Sequence, residues 1–220
     1  MTRMFKAWLV ALLTVALFTP FSTMWLDRPI AFLVRDIFGE QRISLDLTHT
    51  PILSVPLISA SIFVVFGLAA MMGRRFSKVE TAVLLCDISI LAVTAIKDQL
   101  KLAFGRTWPD SWEPGILSLL HDNAYGFHFF QAGHSFESFP SGHAAVVAAA
   151  MSVLWIWYPR LGGPWAICIV AADLTLVGLN LHFLSDVVAG SFVGVSTGLF
   201  VVAVWGAGAH RGPGAAYLQA

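Results

Sequence analysis

The sequence predicts an all-α polytopic membrane protein, a six-transmembrane-helix bundle with an amphipathic surface helix. Three observations predict it. Apolar residues make up 57% of the 220-residue chain and charged residues only 12%, against about 25% charged in an ordinary soluble domain. The mean hydropathy is +0.76, which points to a bilayer as the main solvent. The apolar residues also gather into six runs long enough, or nearly so, to cross the hydrocarbon, at about 7–26, 51–72, 79–96, 143–158, 165–181 and 187–205. No soluble domain fits between them, so residues 1–220 are expected to form a single membrane domain.

The first run follows Arg3 and Lys6 as a signal peptide would, but no small-x-small cleavage site comes after it. It reads as an uncleaved span. Residues 27–50 come next. In them Ile30, Leu33, Val34, Ile37 and Phe38 recur at three- and four-residue spacing, with Arg35, Asp36 and Glu40 between. That pattern suits a helix lying on the membrane surface, although a solvated connector would also serve. In the last run Gly190, Gly194 and Gly198 stand four apart, a strip that permits close helix contact. Cys86 and Cys168 each lie in an apolar run and suggest packing rather than a disulfide.

Lysine and arginine placement sets the orientation. Arg3 and Lys6, then Arg74, Arg75 and Lys78, then Arg160 and finally Arg211 all fall on one side of a six-span chain. That side is expected to be the cytoplasm. The net charge is zero, so nothing points to a nucleic-acid partner.

Three polar clusters fall on the opposite side: Lys101 to Pro109 (KLAFGRTWP), Phe139 to His143 (FPSGH) and His182 to Asp186 (HFLSD). They are far apart in the chain, yet the topology returns them to one membrane face. Ser141 and Gly142 precede the apolar run that begins at His143, which places an N-cap and a helix N-terminus there. The N–H groups of such a terminus bind anions. His182 and Asp186 are four apart and share a face if helical. The carboxylate could orient the imidazole as nucleophile or base, although a lone His–Asp pair is more often a satisfied interfacial hydrogen bond. Lys97, Lys101 and Arg106 could clamp a phosphate or simply snorkel to the headgroups. Cations, a helix start and two histidines form a phosphoryl-transfer set: one histidine attacks phosphorus and the other protonates the leaving oxygen. No paired carboxylates accompany them, and His121, His128 and His134 match no zinc spacing, so no metal or other cofactor is expected. Asp87 and Asp173 lie inside spans and read as protonated acids bonded to neighbouring helices rather than as an ion pathway.

In these clusters the chain resembles the type-2 phosphatidic acid phosphatase family of membrane lipid phosphatases. That family carries K-x6-R-P, P-S-G-H and S-R-x5-H-x3-D. Here Pro140–His143 matches the second motif in full, His182 and Asp186 match half of the third, and Lys101 with Pro109 matches the first. The resemblance implies that His182 attacks phosphorus to form a phosphohistidine, that Asp186 orients it and that His143 protonates the leaving group. It also implies that Lys101, Ser141 and the Gly142 region hold the phosphate. Two of the family's arginines are missing: Trp108 stands at one position and Leu176 at the other. Arg106, helped by Lys101 and Lys97, is the expected replacement.

The implied function is hydrolysis of a lipid phosphate or diphosphate of the polyprenyl diphosphate, phosphatidate, phosphatidylglycerol phosphate or lipid A class. The implied setting is a bacterial cytoplasmic (inner) membrane, with the active site facing outward and membrane lipids as partners. Two alternatives stay open. One is a lipid-to-lipid phosphotransferase; the other is a non-catalytic lipid-binding or transport protein on the same scaffold.

Overall fold

The computed structural model describes residues 3–39, 45–111 and 114–209, and for 45–54, 56, 208 and 209 it describes the backbone alone. Glu40 and Arg211, used above to read the surface helix and the orientation, lie outside the described residues. The chain runs α1 (Arg3–Trp25), α2 (Asp27–Phe38), α3 (Leu45–Met71), α4 (Lys78–Phe104), the single turn α5 (Leu119–Asp122), α6 (Gly142–Trp157), α7 (Gly162–Gly178) and α8 (Leu184–Ala209). Among the described residues there are no strands, only isolated bridges in the loops.

The fold is an all-α integral membrane bundle, with one adjustment to the expected span count. Four helical stretches are long and apolar enough to cross a membrane: Arg3–Trp25, Lys78–Phe104, Pro159–Gly178 and Leu184–Ala207. The other two apolar helical stretches, Leu57–Met71 and Gly142–Trp157, are shorter. α6 has 16 residues and so spans only about 24 Å at 1.5 Å per residue, less than a typical hydrocarbon core.

Local chemistry explains the ends that matter. Ser77 and Glu80 form a reciprocal capping box at the start of α4. The helix then runs eight residues beyond the expected end at 96, to Phe104, and stops at Gly105 with φ 52°. A Cβ at Gly105 would overlap the His128 carbonyl, so only glycine fits this turn. Lys97 and Lys101 therefore lie on the last two turns of α4. The Ser141 side chain accepts from the Ala144 N–H and caps α6. α2 is amphipathic as its spacing predicts: Asp27 and Ala31 are buried while Leu33, Ile37 and Phe38 are exposed.

The core is built around α6, packed between α4, α7 and α8. The glycine strip of α8 faces α6, where Cβ atoms at Gly190, Gly194 and Gly198 would run into Ser141, Ala145 and Ser152. Ala144, Ala145, Ala148 and Ala149 are fully buried opposite them. Small residues on both helices bring the backbones close, and dispersion contacts hold them there. α1 joins through Trp8 Nε1, which donates to Ser196 Oγ at 3.0 Å. The close α6–α8 pairing sets His143, at the start of α6, beside the α7–α8 turn that carries His182.

Candidate active site

The three polar clusters meet at one end of the bundle. His182 occupies the turn between α7 and α8 and is 3% exposed. Asp186 lies in the first turn of α8. Its Oδ2 is 3.7 Å from His182 Nδ1 and accepts from Ser138 Oγ at 2.6 Å and from the Phe183 N–H at 3.0 Å. Ser138 Oγ is also 3.5 Å from His182 Nδ1. With Nδ1 turned toward this polar group, Nε2 is the nitrogen left for chemistry. Burial pushes the His182 imidazole below its ordinary value, while Asp186 pulls the other way. The neutral ring is therefore favoured.

The His143 ring lies 6.2 Å from that of His182, centroid to centroid. The Trp108 ring is 5.2 Å from His182, and Lys101 Nζ sits 5.5 Å over the same indole. Lys101 also donates to the Glu137 carbonyl at 2.6 Å. Lys97 lies against the first residue of α6, its Cδ 3.0 Å from where a Gly142 Cβ would be. Its ammonium pairs with Asp98 at 2.5 Å. Ser141 N donates to the Asp186 carbonyl at 3.0 Å, locking the α6 start onto α8. The structure thus brings together His182, His143, Asp186, Lys101, Lys97, Ser141 and Gly142.

Arg106 is placed differently from the expectation. Its side chain is fully buried and points at carboxylates, not at a phosphate site. Nη1 donates to Asp186 Oδ1 at 2.5 Å and to Ser185 Oγ at 2.6 Å. Nη2 donates to Asp27 Oδ2 at 2.7 Å and to Tyr125 Oη at 3.3 Å. The rings of Phe183 and Phe127 cover it at 4.4 and 4.8 Å. Burial opposes its charge, but Asp186 and Asp27 outweigh burial and raise its pKa above the ordinary value. Both amino groups are committed, and the guanidinium cannot swing to the position of Trp108 without leaving two buried carboxylates unpaired. Trp108 itself lines the site beside His182 and Lys101. Leu176 is buried in α7, against Ala144 and Val187.

Several residues here escaped the sequence reading: Asp27, Tyr125, Ser138 and Ser185. Ser138 sits two residues before the P-S-G-H motif and Ser185 inside H-x3-D, so motif context could have flagged both. Tyr125 and Asp27 carried no such signal. Among the described residues no group of three or more His, Cys, Asp or Glu side chains is arranged to hold a metal ion.

The chain is similar to several known proteins. Residues 81–208 match the PAP2 superfamily. Lipid A 1-phosphatase of Rhizobium johnstonii is 35% identical over 109 residues, covering 48% of this chain and 41% of that protein. Lipid A 1-phosphatase of Rhizobium etli is 36% identical over 94 residues, covering 41% of this chain and 36% of that protein. The chain therefore spans well under half the length of these curated relatives in the matched regions. A PAP2-type phosphatidylglycerolphosphate phosphatase from Bacillus subtilis shares the fold at TM-score 0.50 and 18% identity, over 90% of this chain and 94% of that one. The family match covers more than half of the chain and includes all three polar clusters, so this protein belongs to the PAP2 superfamily.

Proposed function

We propose that this chain is a metal-independent lipid phosphatase that works through a phosphohistidine and acts on a lipid phosphate of the lipid A class. The observation that carries the reaction is the placement of His182 between Asp186, at its Nδ1, and His143, 6.2 Å away ring to ring. The substrate class rests on the two relatives named lipid A 1-phosphatase.

In this reading His182 Nε2 attacks phosphorus and the P–O bond to the lipid breaks. The departing oxygen takes a proton from the His143 imidazolium. His143, now neutral, then takes a proton from water, whose oxygen attacks the phosphohistidine. The P–N bond breaks, inorganic phosphate leaves and His182 is restored. Lys101, Lys97 and the first turn of α6, with Ser141 and Gly142, face the non-bridging oxygens. The cations and the helix start together stabilise the charge that spreads over them. The site opens away from the cytoplasm, because Arg74, Arg75 and Arg160 belong to loops at the opposite ends of these helices. In a bacterial inner membrane that direction is the periplasm. The whole chain is read as one membrane domain.

The test is phosphate release by the purified protein in detergent from a panel of lipid A, phosphatidate, phosphatidylglycerol phosphate and polyprenyl diphosphate. Release from lipid A well above the other three supports the reading. Equal release from all four would remove the substrate assignment, and none from any would remove the phosphatase.

A further inference from the structure

Asp27 begins α2, yet its carboxylate does not serve α2. The N-cap of that helix, Leu26, makes no side-chain cap bond. Asp27 is 1% exposed and receives four hydrogen bonds from elsewhere. Ser22 Oγ and the Ser185 N–H donate to Oδ1 at 2.7 and 3.1 Å. Ser185 Oγ and Arg106 Nη2 donate to Oδ2 at 2.5 and 2.7 Å. Ser185 is the second residue of α8 and the neighbour of Asp186. Asp27 therefore caps α8 from a different helix and places a negative charge at the start of that helix, where the dipole favours it. It also takes half of the guanidinium whose other half holds Asp186. Two further bonds fasten the same corner. Asn180 Nδ2 donates to the Ala31 carbonyl at 3.0 Å, and Tyr125 Oη donates to the Thr23 carbonyl at 2.5 Å. Residues 22–31 lie outside the matched segment 81–208.

We propose that Asp27 is a positioning residue for the reaction: it shares Arg106 with Asp186 and caps the first turn of α8, so that Asp186 keeps the orientation and the basicity that His182 requires. The proposal rests on His182 being the nucleophile. Two carboxylates and one guanidinium leave one net negative charge in a buried cluster next to the imidazole. When His182 bonds to phosphorus through Nε2 with Nδ1 still protonated, its ring becomes cationic. The net negative charge stabilises that cation. Without the Asp27 charge, Arg106 neutralises Asp186 alone, and the imidazole is less basic and less nucleophilic.

The groups facing His182 are Asp186 on α8, Lys101 on α4, His143 on α6, and Ser138 and Trp108 from the loops. Arg106 stands behind Asp186. Tyr125 lies beyond Arg106, with Arg28 5.4 Å over its ring. Asp27→Asn changes the charge of none of these.

The experiment compares the parent, Asp27→Asn, Asp27→Glu and His182→Ala as full-length proteins in detergent on the four-lipid panel, with kcat and KM measured across pH. Asp27→Asn should lower kcat by about tenfold or more, since small misplacements of reacting groups are costly. KM should stay near the parent value, and the acidic limb of the kcat/KM profile should move to lower pH. Asp27→Glu, which keeps the charge, should return that limb to its parent position. An Asp27→Asn protein with parent-like kcat and an unmoved acidic limb would overturn the proposal while His182→Ala is inactive. So would an Asp27→Glu limb displaced as far as that of Asp27→Asn. An active His182→Ala would instead overturn the nucleophile assignment. If Asp27→Asn cannot be recovered folded, Ser185→Ala serves. It removes a bond to Asp27 and one from Arg106 without changing charge, so kcat should fall at unchanged KM, and a parent-like kcat would overturn the proposal.

Discussion

Arg106 Nη1 lies 2.5 Å from Asp186 Oδ1, inside a site that is closed to solvent on both side chains. This pair, completed by Asp27, joins the start of α2, the loop after α4 and the start of α8. Removing the cation leaves two buried carboxylates facing each other. Arg106→Ala should destabilise the protein by about 3–5 kcal/mol. Arg106→Lys should do better on stability but still lose most activity, because one ammonium cannot serve both carboxylates in the fork geometry. Thermal unfolding in detergent and phosphate release check the two halves. An Arg106→Ala protein as stable as the parent would show that the carboxylates are not held by this cation.

Much of this arrangement was legible in the sequence. Apolar runs located six helices, with ends displaced by a few residues, but only four of these are long and apolar enough to cross a membrane among the described residues. The largest displacement was at α4, where Lys97, Asp98 and Lys101 looked like the end of a span, whereas capping at Ser77 and Gly105 decides the helix. The P-S-G-H and H-x3-D patterns located His143, His182 and Asp186 because each motif is local. Arg106 was located, but its partners were not. A guanidinium two residues from a missing arginine looks like a substitute, and only tertiary packing shows that its neighbours are Asp27 and Asp186, 79 and 80 residues away. Asp27 was hidden for the same reason: a carboxylate at the start of an amphipathic helix looks like an ordinary first-turn acid.

The two histidines should separate by leaving group. On the proposed mechanism His182→Ala removes the attacking nitrogen and should abolish turnover on every substrate. His143→Ala should lose activity on a lipid phosphate by about 10²–10⁴-fold, the usual contribution of a general acid. On an aryl phosphate, whose leaving group needs no proton, it should recover much of that loss. Equal losses on both substrates would remove His143 from the acid role.

Gly194 tests the close contact of α6 and α8. A Cβ there would overlap the Ala145 carbonyl and press on Ala148 and the Ala149 N–H. None of these is a flexible side-chain tip that could move aside. Gly194→Ala should cost about 1–3 kcal/mol through overpacking, seen as a lower unfolding temperature in detergent. Gly178, with nothing within 4 Å of its Cβ position, is the control: Gly178→Ala should be near neutral or slightly stabilising. A tolerated Gly194→Ala would mean that the two helices are farther apart than the structure has them.

Orientation is open to direct labelling. Ala132 is exposed in the loop that ends at α6, and Arg75 is exposed in the loop between α3 and α4. In intact cells Ala132→Cys should react with an impermeant thiol reagent, and Arg75→Cys should react only after permeabilisation. The background is a variant lacking Cys86 and Cys168, the two native thiols. The opposite labelling pattern would turn the active site toward the cytoplasm.

The last prediction concerns pH. On the proposed mechanism His182 must be neutral at Nε2, and burial holds its imidazole below the ordinary value of 6.5, with Asp186 opposing. The sign follows directly. Between 6.5 and the lowered value a free histidine would already be charged, but His182 remains neutral. The acidic limb of kcat/KM, which reports the free enzyme, should therefore fall below 6.5. Asp186→Asn removes the group that stabilises the imidazolium, so the limb should move further toward acid while kcat drops. Ser138→Ala removes a bond to Asp186 Oδ2 and keeps every charge, so it should lower kcat with little movement of the limb. A parent limb above 6.5, or an Asp186→Asn limb displaced toward alkaline pH, would mean that a different group controls the acidic side of the profile.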